Sequence, residues 1–133
     1  MSGETSLNVL LQSMSPALNP GDYVFCCIAD LSEIKDKDAI GSFREREGLT
    51  VILERGDAQS LGLDCGYVMA WITLTVHSSL QAVGLTAAFA GALGQAGISC
   101  NVIAGFYHDH LFVGKADALK ALDVLSNLAR DAH

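Results

Sequence analysis

The spacing of apolar residues is most regular in the second half of the chain. Residues 70–76 (AWITLTV) form a β-branched and aromatic run with the composition of a strand. Further on the spacing lengthens, and Leu85, Phe89, Leu93 and Ala96 recur on one face of a helix. Ser78 and Gln81 make an S-x-x-Q pair that predicts the start of this helix. Gly97 stands where a helix ends in a left-handed residue. Gly84, Ala88 and Gly91 line an adjacent face whose small residues, with Gly94, predict close packing. Residues 100–106 (CNVIAGF) and 110–114 (HLFVG) then read as two strands joined by a short polar tip, Tyr107, His108 and Asp109, which predicts a β-hairpin. Residues 116–129 predict a last helix, with Ala116, Leu119, Leu122, Val124, Leu125 and Leu128 inward and Lys120 and Asp123 outward. The order β-α-β-β-α lacks only the final strand of a ferredoxin-like βαββαβ plan, and the N-terminal half is the expected supplier.

The first half is less regular. Residues 7–14 predict a short helix, while Pro16 and the Asn19, Pro20, Gly21 cluster predict a turn region. Residues 22–28 (DYVFCCI) read as a buried strand. Residues 36–47 read as a charged amphipathic helix using Ala39, Ile40 and Phe43, stopped near Gly48. Residues 49–53 (LTVIL) read as a strand and 57–61 as a single helical turn. A second, degenerate copy of the same plan fits this order, although no sequence repeat is evident. The boundary falls near residues 63–67, giving halves of 1–66 and 67–133 without a flexible linker. Halves of that size are marginal alone, so a shared core is expected.

Composition narrows the function classes. Half the residues are hydrophobic, 17% are charged and the formal charge is −7. Lys and Arg are few and scattered, which argues against nucleic acid and against an anionic membrane surface as partners. Residues 80–99 are uncharged and long enough to span a bilayer, but their glycines, glutamines and alanines fit a buried helix better. Cys26, Cys27, Cys65 and Cys100 form no Cys-x-x-Cys pair and read as reduced, small apolar residues. With no secretory leader pattern at residues 1–5, a cytoplasmic setting is expected. Glu45, Glu47, Glu54 and Asp57 read as a solvated acidic face.

Three stretches carry a family resemblance: VHSSLQAVGLTAA from Val76, AGISCNVIAGFYHDHLFV from Ala96, and Tyr23, Val24 and Phe25 in the first half. The chain resembles bacterial tandem ACT-domain proteins, and its C-terminal half is similar to the ACT repeats of cytosolic amino-acid sensors. The common ACT pattern has Asp-x-Pro-Gly at the turn into its first helix. Here that place reads His77, Ser78, Ser79, Leu80. The resemblance implies α+β tandem ACT-like domains, antiparallel sheets with helices on one face, a regulatory rather than catalytic role, and side-by-side pairing.

The residues expected to hold a ligand are His77, Ser78, Ser79, Gly84, Asn101, Tyr107, His108, Asp109 and His110. A helix start offers unpaired N–H groups to a carboxylate, and the hairpin tip lies near the end of the neighbouring strand. Four readings stay open for this cluster. The serines cap a helix beside a wet hairpin tip; the group holds a small amino-acid-like ligand; His77, His108, His110 and Asp109 hold a metal; or a histidine activates Ser78 or Ser79. The expected function is a ligand-binding sensor without catalysis or cofactor, forming a homo-oligomer and signalling through a separate effector protein. The alternatives are a ligand-free dimerisation or interaction module, and a small metal-dependent enzyme using His77, His108 and His110. Trp71 is expected to pack in a core or interface.

Overall fold

In the computed structural model the structure describes residues 6–34, 36–63, 65–76 and 84–132. The elements in order are α1 (Leu7–Ser13), β1 (Ser15–Ile28), β2 (Gly41–Arg44), β3 (Leu49–Glu54), α2 (Arg55–Ser60), β4 (Met69–Thr75), α3 (Leu85–Gln95), β5 (Cys100–Ala104), β6 (Asp109–Gly114) and α4 (Ala118–Arg130). Short 3-10 turns at Leu31–Ile34 and Lys115–Asp117 complete the set. The chain forms two compact units that do not follow chain order: Met1–Asn19 with Ala70–His133, and Pro20–Met69. β1 therefore gives its first residues to one unit and its remainder to the other.

In the first unit the strand order is β1-β4-β6-β5. β1 stands in the place of the missing fourth strand of the βαββαβ plan, as expected of the N-terminal half. Side chains alternate along β4 and β6. Ala70, Ile72 and Leu74 of β4 and Leu111 and Val113 of β6 share one core with Leu85, Phe89 and Leu93 of α3, Ala118, Ala121 and Leu125 of α4, and Leu10 and Leu11 of α1. The other parity, Trp71, Thr73, His110 and Phe112, is left for the opposite face. α3 ends as its sequence predicts: Gly97 is left-handed at φ +78°, and the Ile98 N–H bonds back to the Leu93 carbonyl at 2.9 Å.

The second unit orders its strands β2-β3-β1, all antiparallel. Val24, Cys26 and Ile28 of β1 meet Val51 and Leu53 of β3, with Ile34 and Ala58, in a smaller core. Its hairpin matches the one in the first unit. Arg44 pairs with Leu49 around a loop closed by the Glu45 N–H to the Gly48 carbonyl at 2.8 Å, and Ala104 pairs with Asp109 around one closed by the Gly105 N–H to the His108 carbonyl at 2.9 Å. The two hairpins stand sixty positions apart, and a helix follows each. The loops, EREG and GFYH, match at no equivalent position, so the repeat is invisible in sequence.

Several expectations are corrected. No helix forms over 36–47: β2 occupies 41–44, and Phe43, expected inward, is 74% exposed. The helical spacing of Ala39, Ile40 and Phe43 is accidental, because a strand there completes the ladder to β3. The turn signals at Pro16 and 19–21 lie within β1. They mark the point where the strand passes between units, and Gly21 takes φ +114° with the Tyr23 ring packed against it. Within the chain a Cβ at Gly91 or Gly94 would meet no atom within 4 Å among the described residues, so these two glycines are not required by packing inside the first unit. Ala116 precedes α4 and is exposed, and Leu119 is 74% exposed; Ala118 and Ala121 take the inward positions instead. The predicted Ser78–Gln81 cap falls outside the described residues, where the first described residue of the segment is Gly84, left-handed at the start of α3. Among the described residues no helix is long and apolar enough to cross a membrane.

The cysteines are not all reduced. Cys26 and Cys65 form a disulfide with a Cα–Cα distance of 5.1 Å, and Cys27 and Cys100 are free. Strand parity explains the choice: Cys26 faces the core and Cys27 faces outward. The acidic side chains Glu45, Glu47 and Glu54 are exposed as expected, and Asp57 pairs with Lys37 at 3.9 Å.

Core position predicts a sharp contrast between two phenylalanines. Phe89→Ala should cost about 3–5 kcal/mol in urea unfolding, whereas Phe43→Ala should stay within about 0.5 kcal/mol of the parent. Comparable losses would place Phe43 in a core that β2 does not provide.

Candidate functional site

The helix-free parity of β4 and β6 gathers the most connected polar cluster of the first unit. The Trp71 indole N–H donates to Nδ1 of His110 at 3.1 Å. Thr73 Oγ1 lies 3.3 Å from the same nitrogen and accepts from the Asn19 amide at 2.9 Å. The Asn19 amide also reaches the Trp71 carbonyl at 3.3 Å. Three adjacent strands thus converge on one imidazole. Trp71 stacks on Phe112 at 6.1 Å and 18°, which holds the indole in place.

This arrangement fixes the proton on His110. An indole N–H can only donate, so Nδ1 accepts and the neutral ring carries its hydrogen on Nε2. Burial holds the His110 pKa below its ordinary value, and the neighbouring His108 adds to the effect against a smaller opposing pull from Asp109. Protonating Nδ1 would also set one N–H against another and expel the indole. Burial pushes the Asp109 carboxyl up, partly offset by His110 and His108.

The hairpin turn completes the site. The His108 ring stands edge-on to His110 at 6.5 Å, and Tyr107 lies 6.4 Å from His108. Nδ1 of His108 is shielded from solvent and has no hydrogen-bond partner among the described residues. A Cβ on Gly105 would sit 2.9 Å from the His108 carbonyl and 3.3 Å from Cδ2 and Nε2 of His110. Only a residue without a side chain lets the imidazole rest on the turn.

Of the expected site residues, Tyr107, His108, Asp109 and His110 are brought together. Asn101 lies on β5 opposite Phe112, with its side chain exposed. Gly84 packs against Leu7 of α1, where a Cβ would come within 3.4 Å of the leucine. His77, Ser78 and Ser79 lie outside the described residues. Among the described residues no three His, Cys, Asp or Glu side chains converge as a metal site. Asn19, Thr73 and Gly105 are not among the residues expected from the sequence, and Trp71 is expected there only to pack. The available signal was parity, since Trp71 and Thr73 are two apart on a strand next to the one bearing His110.

An antiparallel sheet ordered β1-β4-β6-β5 with helices on one face, and a polar hairpin on the other, defines a ferredoxin-like α+β module. Two ACT-domain models match in tandem, over residues 2–70 and 68–127, and the chain belongs to the ACT-domain family, whose members are regulatory modules. A protein of unknown function from Vibrio cholerae, considered a possible transport protein, is 55% identical over 94% of this chain and 97% of its own, with a TM-score of 0.86. The ligand-free regulatory subunit of aspartate kinase from Thermus thermophilus shares 11% identity over 85% of this chain and 95% of its own, with a TM-score of 0.60. E. coli aspartokinase III, in complex with aspartate and ADP, shares 12% identity over 87% of this chain and 33% of its own, with a TM-score of 0.65. These two likenesses concern the fold. No curated protein matches the chain.

The depressed His110 pKa has a definite linkage sign. The unfolded chain binds a proton near the ordinary histidine value of 6.5 and the folded chain resists it. His110 therefore contributes full stability above that pH and loses it as pH falls below. His110→Gln should flatten the decline in stability from pH about 6.5 downward in paired urea titrations. Asp109 acts in the opposite direction, being stabilising when protonated and losing that contribution as pH rises through its raised folded pKa. Parallel curves for parent and His110→Gln would contradict the indole-bound tautomer. Gly105→Ala should displace the imidazole, seen as loss of the Trp71 indole N–H shift in NMR.

Proposed function

We propose that the protein is a regulatory module that binds a small amino-acid-like ligand at the hairpin of the first unit and performs no catalysis. The observation that carries this reading is the shielded, unpaired Nδ1 of His108. Leaving a buried polar atom unpaired costs about 1–3 kcal/mol, and a polar ligand atom that pairs with it would remove that cost. Around it stand an acid and a neutral donor: the half-buried Asp109 carboxylate suits an ammonium, and the Nε2–H of His110 suits a carboxylate oxygen. His77, Ser78 and Ser79 belong to the proposed site as its anion-binding helix start, together with Asn101 and Gly84.

The modules in sequence order are 1–66 and 67–133, with the opening segment lent to the second. A homo-oligomer through sheet edges is part of the proposal, because β5 and β2 each end the strand order and leave backbone groups to pair. An effector protein would receive the signal. A cytoplasmic setting also belongs to the proposal; there a disulfide exists as one state of an exchanging pair rather than as a permanent staple. The second reading, an interaction module without ligand, draws on the exposed Phe106 and Tyr107 at the hairpin tip, at 85% and 78%.

A thermal-shift series with the common amino acids tests the ligand reading. A ligand at about 100 times its Kd adds roughly 2.7 kcal/mol of stability. His108→Leu separates site from scaffold: without ligand it should be as stable as the parent or more so, because an unpaired polar atom is removed, and the ligand shift should vanish. A His108→Leu protein that keeps the full ligand shift would move the site elsewhere. A flat response to every amino acid at millimolar concentration would favour the interaction module.

A further inference from the structure

The second unit carries a cleft of about 160 Å³ lined by Val24, Arg55, Ala58, Gln59, Leu63, Cys65 and Gly66. One wall is half of the Cys26–Cys65 disulfide. The two sulfurs are not equivalent. Cys26 is 5% exposed and belongs to the core between β1 and β3, whereas Cys65 is half-buried and faces the cleft. A nucleophile entering the cleft therefore meets Cys65 first, and Cys26 is the sulfur positioned to leave.

The cleft also contains a cation with no other engagement. Arg55 makes no ion pair or hydrogen bond among the described residues. Asp57, an acid on the same helix, is already paired with Lys37. The remaining lining consists of the apolar Val24, Ala58 and Leu63 and the exposed amide of Gln59. A planar guanidinium at the edge of a small, largely polar cleft suits the carboxylate of a short ligand.

We propose that this cleft is a thiol–disulfide exchange site for small thiols that carry a carboxylate, with Arg55 holding the carboxylate and Cys65 receiving the sulfur. The incoming thiolate attacks Sγ of Cys65, the Cys26–Cys65 bond breaks, and Cys26 leaves as a thiolate that takes a proton from water. The products are a mixed disulfide on Cys65 and a free Cys26 thiol, with no net oxidation or reduction and no further reactant. Removing the crosslink, which joins residues 39 apart in sequence, frees the segment before β4. The modified fraction then tracks the thiol pool around the protein. This site uses none of the hairpin residues and stands or falls apart from the amino-acid reading.

The test is anaerobic incubation of the oxidised protein with 3-mercaptopropionate or 2-mercaptoethanol, followed by acid quench, intact mass and peptide mapping. Rates are compared per thiolate, since the two thiols ionise differently. The expected result is one adduct per chain, on Cys65, forming about fivefold faster with the carboxylate probe, the size that one partly exposed ion pair supports. Arg55→Gln changes an exposed side chain, so it should fold normally and bring the ratio to about one. An adduct on Cys26, equal rates in the parent, or an undiminished preference in Arg55→Gln would each overturn the proposal. So would free Cys26 and Cys65 thiols in protein purified under air without reductant.

Discussion

The period-two alternation of β4 and β6 is the constraint on which both the core and the candidate site depend. One parity supplies Ala70, Ile72, Leu74, Leu111 and Val113 to the layer beneath α3 and α4. Because successive side chains on a strand point to opposite faces, the same register must present Trp71, Thr73, His110 and Phe112 on the other. Slipping either strand by one residue would exchange the two sets, placing an imidazole and an indole N–H in an apolar core. The hydrophobic effect that fixes the helix layer thus also fixes, at no separate cost, which polar groups meet on the far side.

What that far face then does is electrostatic. The indole N–H commits His110 to one tautomer, burial keeps it neutral, and His108 adds to the pressure toward the neutral form. Gly105 supplies the room. The result is a donor on Nε2 of His110, a ring nitrogen of His108 without a partner among the described residues and a carboxyl of raised pKa on Asp109, within one hairpin. Structural histidines normally have both nitrogens satisfied, which is why the His108 orphan weighs toward ligand binding.

The second unit repeats the hairpin geometry with different chemistry. At positions matching Gly105 to His108 it carries Glu45 to Gly48, all polar or small, so the repeated backbone holds no second imidazole cluster. Its distinctive group is instead the disulfide tying β1 to the segment before β4. A repeated fold with divergent loops is the usual way one scaffold carries two different sites.

The sequence by itself determined most of the first unit. Residues 70–76, the helix through Leu85, Phe89 and Leu93 with its Gly97 stop, and the hairpin around Tyr107 to Asp109 are legible because each has a long, consistent period and a clear terminator. The family was also legible, from the stretches around Val76 and Ala96. Four expected site residues, Tyr107, His108, Asp109 and His110, follow from the hairpin alone, since neighbours in sequence are neighbours in space there. Tertiary structure alone decided the rest. A four-residue strand such as β2 is too short for periodicity to outweigh a chance helical spacing, and only its ladder to β3 settles its state. Pro20 and Gly21 signal a turn locally, yet pairing on either side keeps the chain extended through them. The Cys26–Cys65 bond, the Asn19–Thr73 bond and the Trp71–His110 bond join residues 39, 54 and 39 positions apart. No local pattern encodes such pairings, because they arise from strand order and register rather than from the preferences of any one segment.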